Sequence, residues 1–159
     1  MPFIGIVSKE EDKVKEYIKL NKNLKINNIF FINDKSINNM KNIKFDTILI
    51  LDDKYNIESE SVLQKLIMNS KYIIIQSEIQ DKLNFIENKE LNLITFGFNH
   101  KSTVTASSTE LENIMICIQR NIKDMNGSII EPQEILVETK KYDINIIMGI
   151  SILSLIYSV

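Results

Sequence analysis

Five short apolar runs punctuate the N-terminal part of the chain: FIGIV (3–7), NIFFI (28–32), TILIL (47–51), YIIIQ (72–76) and LNLITF (91–96). Each is rich in β-favouring residues and continuously hydrophobic rather than alternating. Strands need that pattern when helices cover both faces of a parallel sheet. Between the runs, EEDKVKEYIKLN sets Val14, Tyr17 and Ile18 on one helical face, and SESVLQKLIMNS does the same with Val62, Leu63, Leu66 and Ile67. KSINNMKNI and IQDKLNFIENK read as shorter helices. Strands alternating with helices predict a mostly parallel, doubly wound, Rossmann-like α/β sheet.

Beyond Phe98 the period changes. TVTASS alternates, and NIMICIQRNI (113–122) alternates with Ile114, Ile116 and Ile118 on one side. Asn126-Gly127 predicts a hairpin turn, since both residue types tolerate positive φ. IIEPQEILVE (129–138) returns from it, with Pro132 marking an edge or a bulge. Antiparallel strands and a hairpin are therefore expected near residues 103–138. Residues 143–159 are apolar almost all round, with Asp143 as N-cap, and predict a buried helix. The expected organisation is a single domain, 1–159, with a parallel part (1–98), an antiparallel part (99–142) and an apolar C-terminal helix (143–159).

Composition narrows the function classes. A hydrophobic content of 44%, a charged content of 25% and a net charge of −2 are those of an ordinary globular domain and give no footprint for nucleic acid. One cysteine, Cys117, excludes an internal disulfide and fits a reducing, cytoplasmic setting. The N-terminus turns acidic after one short apolar run, unlike a secretory leader. The C-terminal run falls short of the roughly 20 residues that span a bilayer, so membrane attachment is not expected.

Residues from about 70 onward resemble the C-terminal part of the ATP-binding middle domain of the Mur ligases, which build peptidoglycan precursors. The resemblance rests on ITFGFNHKSTVTASS, the hairpin around Asn126-Gly127, and INIIMGISILSLI, in that order. In the family, a strand ending in a Tyr/Phe-Gly-Phe-type signature precedes a short alternating strand, a hairpin, and a helix opened by Gly-x-His-Asn-x-x-Asn. The resemblance implies a shared scaffold. It also exposes what is missing. The family's phosphate loop, a glycine-rich turn ending in Gly-Lys-Thr/Ser, is replaced after the first strand by GIVSKEEDK, with Glu10, Glu11 and Asp12 in succession. An anionic turn there repels a polyphosphate. The Asp-His-Leu-Asp-type segment is absent. In the helix motif Asn145 keeps the first asparagine, while Ile144 and Met148 stand in place of the histidine and the second asparagine. The implied protein is a shortened, non-catalytic relative with no cofactor, acting through a protein partner or a second copy of itself by way of the apolar C-terminal helix.

The remaining chemistry is sparse. Asp34, Asp52, Asp53 and Glu78 fall just past strand ends, with Asp12 near another, where open sheets bind ligands. Asp52, Asp53 and Asp34 are the candidates for Mg²⁺, although turn and cap roles account for the same residues. Glu10, Asp12, Asp52, Ser77 and Lys101 also follow the order of response-regulator receiver domains, which gives the alternative of a small-ligand or phosphoacceptor module. His100, the only histidine, has no nucleophile elbow near it and reads as a loop residue. Cys117 reads as a packing residue. Gly97 marks a structural junction at the end of the last parallel strand.

Overall fold

A computed structural model describes residues 1–22, 24, 26–53, 57–80, 92–108, 113–138 and 141–158. The strands are β1 (Ile4–Val7), β2 (Ile29–Phe31), β3 (Thr47–Ile50), β4 (Tyr72–Gln76), β5 (Asn92–Phe96), β6 (Val104–Ser108), β7 (Asn113–Ile118), β8 (Ile122–Lys123), β9 (Ile129–Ile130) and β10 (Gln133–Glu138). The helices are α1 (Glu11–Leu20), α2 (Ile37–Met40), α3 (Ile57–Met68), α4 (Ser77–Gln80) and α5 (Ile144–Tyr157). Among the described residues, one eight-stranded sheet runs β10-β7-β6-β5-β4-β3-β1-β2, and β8 with β9 forms a separate hairpin. This is the mostly parallel, Rossmann-like α/β arrangement that the apolar runs predict. Most of the segment predicted helical after α4 lies outside the described residues.

Each face of the sheet has its own core. One joins Val14 and Tyr17 of α1 and nearly all of α5 to Ile4, Ile6, Leu49, Ile74, Phe96 and Ile116. The other sets Ile37, Leu63, Leu66 and Ile67 against Val7, Ile48, Ile50, Ile73 and Ile75. Helix α5 explains its own composition. Ile146, Ile147, Met148, Ile150, Ile152, Leu153 and Ile156 are all buried, and Asp143 caps the helix by accepting the Asn145 amide at 2.8 Å. An all-round apolar helix has to be covered, and the sheet together with α1 covers it. Ser151, Ser154 and Leu155 are the half-buried residues of its second half. No helix among the described residues is long and apolar enough to cross a membrane.

The polar ends of the core are satisfied. Tyr72 donates to the Asp124 carbonyl at 2.8 Å, and the Tyr157 hydroxyl pairs with Thr47 Oγ1. Burial is the main reason that the Tyr157 hydroxyl is pushed up to about 12.

The junction after β5 refines the expected boundary between parallel and antiparallel parts. Parallel neighbours normally need a crossover of a dozen or more residues, yet only residues 97–103 separate β5 from β6. The two strands solve this by being staggered. Phe96, the last residue of β5, is the register partner of Val104, the first of β6. The chain thus steps sideways by one strand position and continues in the same direction. Strand β6 is therefore parallel to β5 and antiparallel to β7, and it is no edge strand. Gly97 makes the step at φ +148°, its N–H donating to the Val104 carbonyl at 3.1 Å. Around it, Ser77 Oγ donates to the Phe96 carbonyl at 3.2 Å and pairs with Ser102 Oγ, while the Thr103 amide donates to Thr95 Oγ1 at 3.0 Å.

The hairpin forms as expected, with one correction. Only Gly127 has positive φ; Asn126 does not. Asp124 organises the turn instead, its Oδ1 accepting the amides of Asn126 and Ser128, each at 2.8 Å. Pro132 sits in the interruption between β9 and β10, and β10 is an edge.

Two outcomes follow. Gly97→Ala is expected to cost about 1–3 kcal/mol in urea denaturation because alanine resists this φ. A cost near zero would show that the step does not depend on it. For Tyr157, the native pKa near 12 lies above the ordinary value of 10.0, so the native state holds the proton more tightly. The associated stability is complete below pH 10 and is lost as pH rises toward 12. Tyr157→Phe should flatten that alkaline decline, though not abolish it, because burial also raises Tyr17 and Tyr72.

Candidate functional site

Connections from β1 pass to β2 on one side and those from β3 pass to β4 on the other, so the order reverses between β1 and β3. The crevice beyond the carboxyl ends of these two strands is where open α/β sheets bind ligands. A depression of about 500 Å³ lies beside that point, past the ends of β1 and β2, lined by Ser8, Lys9, Glu10, Glu11, Asp12, Lys13 and Asn33.

The chain's own side chains engage the start of this turn, although none caps α1. Asp52, just past β3, accepts the Lys9 amide through Oδ2 at 2.7 Å, and its Oδ1 lies 3.5 Å from the Lys9 ammonium. Ser8 Oγ accepts the Glu10 amide at 3.1 Å. Glu10 accepts from the Lys13 ammonium at 2.8 Å, and Glu11 accepts from Asn33 Nδ2 at 2.7 Å. Phosphate loops work because backbone N–H groups converge on an anion from outside the chain. Here an internal carboxylate holds the first of those amides. The acids of the turn, moreover, have ordinary structural partners. Glu11 and Asp12 occupy the first turn of α1, where negative charge suits the helix dipole.

The other predicted residues do not gather. Among the described residues, no three of His, Cys, Asp and Glu come together in a way that could hold a metal ion. Asp34 lies in the turn after β2, whose bonding is organised by Asn33: Asn33 Oδ1 accepts the amides of Lys35 and Ser36, each at 3.0 Å. Asp53 is half-buried beside Asp52. Ser77 is engaged with Ser102 at the β5–β6 step, and Lys101 is exposed there, its carbonyl accepting from Arg120 at 2.7 Å. His100 is exposed in the same loop. Cys117 is half-buried on the sheet face opposite Ile116 and Ile118, as the alternation predicts.

The N-terminus of α5 lies against α1, with the Tyr142 ring tilted against that of Tyr17 at 5.0 Å between ring centroids. Met148, at the place of the motif's second asparagine, is wholly buried in the core. Asn145 Oδ1 is the one buried side-chain oxygen or nitrogen among the described residues without a hydrogen-bond partner.

Sequence reading names Asp52 but misses its partner. The signal is the register. Val7 lies opposite Ile50 in the parallel β1–β3 pair, so Lys9 and Asp52, each two residues farther on, emerge side by side. Asn33 is likewise missed, because nothing in its neighbourhood shows that Glu11 approaches it.

No family model matches the chain, and no curated protein matches it.

Asp52→Ala removes the acceptor of the Lys9 amide. It should lower stability by about 1–2 kcal/mol in urea denaturation, whereas adding millimolar Mg²⁺ to the unaltered chain should leave its melting temperature in place. A clear Mg²⁺-dependent rise that Asp52→Asn abolishes would restore the metal site.

Proposed function

We propose that this chain is a non-catalytic binding protein on a Mur-ligase-like middle-domain scaffold, working through a protein partner rather than through nucleotide chemistry. One observation carries the reading: the Lys9 amide, at the turn where a phosphate loop would present its donors, is bonded to Asp52. A triphosphate entering the crevice would have to displace that carboxylate and face Glu10, Glu11 and Asp12 as well.

The order of elements supports the scaffold half of the reading. A strand ending in Phe96-Gly97, a short strand stepped sideways, a hairpin and an apolar helix follow one another as the resemblance implies. The helix has lost the polar residues that the motif would supply. Ile144 is half-buried, Met148 is in the core, and Asn145 alone leaves a single acceptor. One acceptor and no convergent donors make a poor nucleotide site. A connection to cell-wall synthesis follows from the resemblance alone.

The receiver-like alternative asks Asp52 to coordinate Mg²⁺ and accept a phosphoryl group. Both of its oxygens already face Lys9, one toward the amide and one toward the ammonium. That arrangement favours a structural carboxylate.

Calorimetric titration of ATP–Mg²⁺ into the full chain, paired with a phosphate-release assay, tests the reading. The expected result is no binding at micromolar concentrations and no turnover. Micromolar affinity accompanied by hydrolysis would overturn it.

A further inference from the structure

The edge of the sheet far from the crevice is formed by β10. Strand β10 pairs along its whole length with β7, from Gln133 opposite Ile118 to Glu138 opposite Asn113, and has no strand on its other side among the described residues. The opposite edge, β2, spans only Ile29–Phe31, with the Lys15 ammonium over the Phe31 ring at 4.8 Å. An edge of six residues presents a row of main-chain donors and acceptors that another extended segment can meet.

The side chains of β10 divide by face. Ile135 and Val137 turn to the core shared with α5. Glu134, Leu136 and Glu138 turn to the other face and are exposed, Leu136 by 58%. Among the described residues, the core on that face contains no residue of β6, β7 or β10. Across from Glu134 and Leu136 lie Cys117 and Met115, each half-buried. This face of β10 therefore carries an apolar step, Met115–Leu136, between two carboxylates. Neither Glu134 nor Glu138 forms an ion pair among the described residues, and the segment from Glu131 to Glu138 contains no cation.

These charges select the occupant. A second copy pairing antiparallel about Leu136 would set Glu134 against Glu138 twice, and like charges directly opposite repel. A strand with cations four residues apart and an apolar residue midway would match each position, because side chains on one face recur every second residue. Taking as premise the partner-binding function proposed above, we infer that β10 is a docking edge for an extended basic segment of a partner protein, adding as a ninth strand with a lysine or arginine opposite each of Glu134 and Glu138.

The probe is a labelled peptide alternating threonine with lysine, isoleucine and lysine, a sequence that reads the same in either strand direction. Titrated against the full chain at low salt and followed by fluorescence anisotropy, it should bind saturably, with hydrogen exchange slowed at the amides of β10. Glu134→Lys with Glu138→Lys should weaken binding at least tenfold and confer affinity for the peptide bearing glutamate in place of lysine. Both positions are exposed, so folding should be kept; Glu134→Gln with Glu138→Gln supplies a milder pair expected to fall between. No binding by the unaltered chain, or binding indifferent to these charges, overturns the inference. So does concentration-dependent self-association abolished by Leu136→Lys, which would give the edge to a second copy. Nucleotide calorimetry is independent of β10, so this inference can fail while the non-catalytic reading stands, and the reverse.

Discussion

The parallel register of β1 against β3 is the constraint on which both the fold and the candidate site depend. It is pinned at both ends by carboxylates that accept main-chain amides. Asp46 takes the Phe3 amide at 2.8 Å below the strands, and Asp52 takes the Lys9 amide at 2.7 Å above them. The two contacts have the same offset because each aspartate is the neighbour that the register dictates, from Ile4 opposite Thr47 to Val7 opposite Ile50. A slip of one residue would break both and turn every side chain of the strand to the wrong face. The upper of these two contacts also occupies the Lys9 amide, at the turn beside the crevice.

Hydrophobic burial then completes the structure on each face. Helix α5 closes one side, and it is the reason that a chain with so continuous an apolar C-terminal segment folds as an α/β layer. Asp143 caps its start and Tyr157 pairs with Thr47 near its finish, while Asn145 Oδ1 in the first turn has no partner. Among the described residues, what remains open is at the other end of the sheet, along the outer side of β10.

Functionally, the crevice and the edge contrast. At the crevice, the Lys9 and Glu10 amides are already bonded within the chain, and a ligand that takes them would have to break an existing bond. At the edge, carboxylates and main-chain groups lack protein partners among the described residues, and a ligand would only have to displace water. A bonded group offers less to an incoming partner than a solvated one.

The sequence by itself determined the elements and their layering. Continuous apolar runs required parallel strands covered on both faces, and the alternation of Ile114, Ile116 and Ile118 required a strand with one buried side. The all-round apolar helix required burial, and Asp143 marked its start. These are properties of neighbouring residues and survive without knowledge of distant contacts. Only the tertiary structure decided that the step at Gly97 keeps β6 parallel to β5, because stagger depends on which strand ends meet. It also decided that Asp124 rather than Asn126 shapes the hairpin. The meaning of Asp52 was hidden for the same reason: its partner lies one strand away in space and two helices away along the chain, and only the register brings the carboxylate to the Lys9 amide.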